Sequence, residues 1–232
     1  MPGGFARAVN PEIIAYYDRL APLYDQDRFG NSYGRFVDAR ERALVERWLA
    51  GRRDVLEIAC GTGRLSNIAS VACDASQASL KVARERHPRL ALTAADATRL
   101  PFAPASFDAV FGFHLLMHLD ATSVRATIAE AARVLRPGGL LVADVVSATR
   151  RRLWPRATPE VAWHGSTVLT VDAFREVCAS QGLRCKAMTG LLLLPVQRLP
   201  PWLRPFLAPL DAALGRAMPS LSSSLIGCFV KQ

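Results

Sequence analysis

Val55-Leu56-Glu57-Ile58-Ala59-Cys60-Gly61-Thr62-Gly63-Arg64 is the stretch that decides the fold. An apolar run carrying an acid enters a glycine-containing turn, and the next segment starts a helix. Glycine reaches backbone angles closed to other residues and lets a ligand approach the main chain. In open α/β sheets, ligands bind beyond the carboxyl ends of strands, where the strand order reverses. Alone, a Gly-x-Gly after a strand is a weak signal, because dinucleotide binders share it.

The same alternation continues outward. SVACD, LALTAAD, FDAVFGF and LLVADVVS are further short apolar runs, most of them followed by a turn signal and a helix-like segment. Strands alternating with helices imply parallel βαβ units and a covered parallel sheet. Ala121 to about Leu135 reads as a long helix stopped at RPGG. Thr170 starts a helix running to about Gln181, with Gly182 as its stop. LRCKAMTGLLLL reads as a strand, and SSSLIGCFVKQ as a closing edge or hairpin strand. Upstream, residues 8–50 read as a helical cap with a polar break at DRFGNSYG. The expected architecture is α/β: a Rossmann-like, seven-stranded, mostly parallel sheet with helices on both faces and an N-terminal helical cap. All 232 residues are expected to form one domain, with cap 1–50, core 51–147 and acceptor-side segment 148–232.

Composition agrees. Half the residues are apolar and 21% are charged, so the chain can bury a real core and is not disordered. No apolar stretch is long enough to span a membrane. The first residues lack the pattern of a secretory signal. Five cysteines without a CxxC pair argue against a disulfide framework or structural zinc. They read as reduced thiols, in keeping with a cytoplasmic location. The net charge is +9, which fits either a plain basic protein or a patch that attracts anions. Arg150, Arg151 and Arg152, with Arg156 nearby, are a solvated run or an anion grip.

Three acids sharpen the turn. Glu57 lies at the end of the first strand. Asp74 ends the second, where it can accept from both ribose hydroxyls of a nucleoside or cap the following helix. Asp96 ends the third, where it can accept from an adenine amine or cap a turn. A nicotinamide binder would want a third glycine after Gly63 and an acid about 20 residues beyond the turn. Neither is present.

The ordered set YYDRLAPLYD, VLEIACGTGRL, VACDASQASLKVARER, AADATRLPFAPASFDAVF, HLLMHL and VLRPGGLLVADVV resembles the class I S-adenosylmethionine-dependent methyltransferases of small bacterial type, over roughly residues 10–146. The resemblance implies S-adenosylmethionine as cofactor and S-adenosylhomocysteine as product. It implies that Glu57, Ala59, Gly61, Thr62 and Gly63 line the methionine end. Asp74 would hold the ribose and Ala75 the adenine edge. Asp96 and Ala97 would meet the adenine, and Tyr24 would close over the methionine.

Two departures stand out. Ala59 replaces the usual first glycine of the turn. Gly63 and Asp74 are only 11 positions apart, so the first crossover helix, RLSNIA, is one or two turns long. That leaves the end of the first strand less covered.

His114 and His118 stand four apart and would share a face if helical. No third ligand accompanies them, so no metal is expected. His114 would face the cofactor boundary and could take a proton from a phenol, hydroxyl or amine as a neutral imidazole; the alternative is a hydrogen-bonded residue without catalytic duty. Tyr17, Phe113, His118, Trp163 and His164 are the candidate acceptor wall. The expected function is methyl transfer to a small aromatic or hydrophobic acceptor by in-line displacement. The alternatives are an RNA-directed enzyme, disfavoured because the basic residues lack interleaved aromatics, and a non-catalytic relative. The apolar segment LLLLPVQRLPPWLRPFLAPL, interrupted by Arg198 and Arg204, could cover the acceptor, touch a membrane surface or make a dimer contact.

Overall fold

The structure, a computed structural model, describes residues 10–155, 163–196 and 199–232. Helix α1 (Pro11–Leu20) starts on Asn10, whose side chain accepts the Glu12 N–H at 2.9 Å. Helices α2 (Tyr24–Phe29) and α3 (Ser32–Trp48) follow. The break expected over residues 27–34 is narrower. Asp27, Arg28 and Phe29 complete α2, and Asn31 restarts the helix at once by accepting the Gly34 N–H at 2.8 Å.

The core then runs β1 (Val55–Ile58), β2 (Val71–Asp74), α4 (Gln77–Arg86), β3 (Ala91–Ala94), β4 (Phe107–Gly112), α5 (Ala121–Val134) and β5 (Leu135–Ser147). After it come α6 (Ala148–Leu153), β6 (Val168–Leu169), α7 (Val171–Ala179), β7 (Leu183–Leu191), α8 (Arg204–Ala217) and β8 (Ser224–Lys231). Thr170 caps α7 by accepting the Ala173 N–H at 3.1 Å.

The sheet order is β3-β2-β1-β4-β5-β8-β7, with β6 paired to the end of β5. The seven expected strands are joined by this two-residue eighth, which takes the β4 lane beyond Gly112 because β8 fills the other side of β5. β8 is antiparallel to both neighbours and lies between β5 and β7, so the edge is β7. SSSLIGCFVKQ is thus an interior strand, as its buried Leu225, Ile226, Cys228 and Phe229 require.

All four residues of β1 are buried. Leu56, Ile58 and Val110 pack with α5 and α7 on one face, and Val55, Ala109 and Phe111 pack with α3 on the other. This period of two, buried on both sides, is why the strand reads as a continuous apolar run. The strand order reverses between β1 and β4, which puts the crevice at their carboxyl ends.

The Pro-rich stretch 199–219, in whose sequence no element is read, holds the helix α8, with Pro209 inside it.

Candidate active site

The turn after β1 is held left-handed at Ala59 (φ +53°), Gly61 (φ +55°) and Gly63 (φ +78°). A Cβ on Gly61 would meet nothing within 4 Å, so its surface opens into a cavity. A Cβ on Gly63 would stand 2.9 Å from His87 Cδ2, and the Gly63 carbonyl is 2.7 Å from His87 Nε2. Gly63 therefore packs down on α4 and Gly61 faces a ligand. Ala59 departs from the usual glycine by more than size: an L-residue in this region costs about 1–2 kcal/mol.

Asp74 is half-buried at the end of β2. Its Oδ2 accepts the Gly61 N–H at 2.7 Å and its Oδ1 accepts the Ser76 N–H at 2.8 Å. Burial holds its carboxyl above the usual range. The cap of α4 is Ser76, which accepts the Ser79 N–H at 3.0 Å, so Asp74 is not the helix cap. Asp18, from α1, accepts from Ser76 Oγ at 2.6 Å and from the Ala78 N–H at 3.2 Å. This carboxylate at a helix N-terminus fastens the cap to the core. It escaped the sequence reading because its partners are far away in the chain.

Glu57 is buried and lines the cavity; Ser66 Oγ donates to it. Burial pushes its carboxyl up to about 8. A buried carboxyl facing a cavity suits a cationic ligand group.

The crossover is as short as expected, a single 3-10 turn over Ser66–Ile68. The end of β1 is nevertheless covered, because α3 closes over it. Arg64 donates to Asp38 and to Glu41, both at 2.6 Å, and its guanidinium stacks 4.1 Å over the Phe29 ring. Arg42 donates to the Arg64 carbonyl at 2.7 Å and to Asn67.

Glu41 also touches His114. The Glu41 Oε1 to His114 Nε2 distance is 2.9 Å, an ion-pair contact with its N–H off line, and Asp144 lies 3.9 Å from Nδ1. The His114 backbone (φ +57°) donates to Asp144 Oδ1 at 2.7 Å. The ring is one-third exposed, toward the cavity that it lines. Desolvation opposes its charge, but Glu41 and then Asp144 outweigh that and raise its pKa to about 9. His114 is therefore an imidazolium at neutral pH. That charge weighs against the proton-accepting role expected for it, because a ring holding both protons has no free nitrogen to accept another.

His118 is the opposite case. It ends the 3-10 turn Leu116–His118, so the two histidines do not share a helical face. Burial, then His164 and His114, depress its pKa to about 3. Its Nδ1 accepts the Gly165 N–H at 3.4 Å and its Nε2 is 2.9 Å from Tyr17 Oη. An N–H can only donate, so the ring proton sits on Nε2 and points at Tyr17.

Tyr17, Tyr24, Phe113, His118, Thr62, Ala75 and Ala97 all line the same cavity. Tyr24 packs edge-on to Tyr17 at 5.8 Å and to Phe29 at 6.1 Å. Asp96 stands beside the wall, its Oδ1 accepting from the Thr98 N–H and Oγ1 at 2.8 Å while Ala95 and Ala97 face inward. Trp163 and His164 form a layer behind His118, at 5.5 and 4.7 Å between ring centres. Sequence reasoning missed Glu41, Asp38 and Asp144. A helical Arg/Glu pattern marks α3 as solvent-facing, and only the fold shows that Glu41 is turned inward.

Arg150 does not project as an anion grip: it donates to the Leu193 and Leu221 carbonyls and stacks on Trp154 at 4.4 Å. Arg156 and Arg198 lie outside the described residues.

Residues 56–143 match the model of a methyltransferase domain. A demethylmenaquinone methyltransferase of Renibacterium salmoninarum is 38% identical over 140 residues, 56% of this chain and 57% of that protein. A malonyl-acyl-carrier-protein O-methyltransferase of Hahella chejuensis is 35% identical over 60% of this chain and 53% of its own length. The chain thus spans little more than half of the curated relatives it matches. Among solved structures, a Thermotoga maritima protein described as a possible histamine N-methyltransferase superposes with a TM-score of 0.74 at 17% identity, covering 95% of this chain and 100% of that one. The cyclase SpnF reaches 0.68 at 19% identity, over 100% and 99%. At such identities the superpositions establish the fold.

Proposed function

We propose, from the methyltransferase-domain match over residues 56–143 and the shared fold, that the chain is a class I S-adenosylmethionine-dependent methyltransferase that methylates a small aromatic or hydrophobic acceptor in the cavity above β1 and β4. The observation that carries this reading is the open face of Gly61, with Asp74 on its N–H and the buried Glu57 beside it. That cradle fits the cofactor. Glu57 and the Gly61-Thr62 backbone would hold the methionine end, Asp74 the ribose, and Ala75 and Ala97 the adenine. Bound there, the cofactor supplies a methyl group already activated on a sulfonium.

The chain's own task is to position an acceptor and exclude water. The aromatic wall of Tyr17, Tyr24 and Phe113 suits a flat ring. Neither histidine is a good base: His114 is already protonated, and His118 is too weakly basic. A cationic His114 instead favours an acceptor that carries negative charge, such as a phenolate or the oxygen or carbon of an enolate. The names of the methyltransferases acting on demethylmenaquinone agree with a quinone-like ring.

The test is S-adenosylhomocysteine formation with phenols, hydroquinones and amines. Acceptor-dependent product is expected, highest for acidic hydroxyls, and His114→Gln should move the pH profile for a phenol upward. Product with amines alone would contradict the anionic-acceptor reading.

A further inference from the structure

Helix α8 is built inside out. Its protein-facing side is polar. Arg204 donates to Ser32 Oγ at 2.9 Å and to the Leu199 carbonyl at 3.1 Å, and the fully buried Asp211 accepts the Leu194 N–H at 3.0 Å. Arg40 of α3 donates to the Ala208 carbonyl at 2.6 Å. The outward side is apolar. Trp202, just before the helix, is 69% exposed, Phe206 is 74% exposed and Leu210 is 49% exposed, with Pro205, Pro209 and Ala213 filling the same face. Phe206, Leu210 and Ala213 recur at the spacing of one helical face. A soluble helix normally turns this stripe inward.

The chain carries a net charge of +9, and from Gln181 to the end its sequence holds six Lys and Arg against one acid, Asp211, which is buried, as is Arg204. Exposed Arg216 ends the helix. Exposed Leu153, Trp154 and Arg152 lie at the end of α6, which Arg150 anchors to the Leu193 and Leu221 carbonyls on either side of α8 in the chain. Among the described residues no helix is long and apolar enough to cross a membrane.

We propose that the outward face of α8, with Trp202, docks on the interface of an anionic lipid bilayer. Aromatic and aliphatic side chains enter the headgroup boundary while the surrounding cations meet acidic headgroups. A second copy is the poorer occupant, because like charges would meet across the contact. The inference does not depend on the proposed reaction.

The experiment is co-sedimentation of the purified chain with vesicles of phosphatidylcholine, with and without phosphatidylglycerol. Binding is expected only with phosphatidylglycerol, weakened by added salt, with a blue shift of tryptophan emission that Trp202→Phe reduces. Phe206→Glu should lower the partition about tenfold or more. Because Phe206 is exposed, circular dichroism and S-adenosylmethionine binding should stay unchanged. Equal partition by Phe206→Glu, or no partition by the parent chain, overturns the proposal. A concentration-dependent dimer lost in Phe206→Glu, without vesicle binding, would assign the face to a second copy, and capture by an acidic protein alone would assign it to a protein partner.

Discussion

Ala59 shows how one residue can be read correctly by type and misjudged by conformation. Its methyl group is small, yet its backbone sits at φ +53°, where glycine has no steric penalty. Ala59→Gly relieves about 1–2 kcal/mol of strain and gives back about 0.4–1 kcal/mol through the freer unfolded chain. A net stabilisation of up to about 1.6 kcal/mol is expected in urea unfolding. A loss of stability would show that the strain is absent. Gly61 differs in kind, because its missing side chain leaves the cavity open rather than easing a turn.

At the scale of elements, α3 does the work that a longer crossover would do. Its Asp38 and Glu41 hold Arg64 over the end of β1, and Arg64 in turn sits against Phe29 of α2. Breaking a mostly buried pair leaves an uncompensated charge, so Arg64→Met should destabilise the fold by about 3 kcal/mol. Thermal unfolding checks this, and an unchanged midpoint would mean that α3 is held by its apolar face alone. The sheet was legible in sequence because β1, β2, β4 and β5 are short apolar runs bounded by turn residues. Helix α8 was not: the stretch reads only as rich in proline and apolar residues, and its apolar residues lie on the wrong side for a helix packed by hydrophobic burial. The ends of the strands announced Glu57 and Asp74. Nothing local announced Glu41 or Asp144, whose partners come from distant parts of the chain.

Among the described residues, Glu57 and His114 are two groups that hold protons more tightly folded than unfolded and whose loss falls near neutral pH. Burial raises Glu57 from 4.5 to about 8, and the carboxylates around His114 raise it from 6.5 to about 9. A raised pKa gives stability that is complete below the unfolded value and is lost as pH rises through the folded one. His118, depressed from 6.5 to about 3, works the other way and offsets Glu57 below about pH 6.5, so stability of the unliganded protein should fall between about pH 6.5 and pH 9. Glu57→Gln should flatten the lower part of that fall and His114→Gln the upper part. A flat profile in the parent chain, followed by urea unfolding, would contradict both assignments.

The central claim is that the Gly61, Asp74 and Glu57 cradle is a cofactor site. Calorimetric titration with S-adenosylmethionine and, separately, with S-adenosylhomocysteine tests it most directly. The account predicts micromolar binding of both, weakened in Asp74→Ala by about 1.5–3 kcal/mol through loss of a charged acceptor. Absence of binding of either ligand at millimolar concentration, in a protein that is folded, would contradict it.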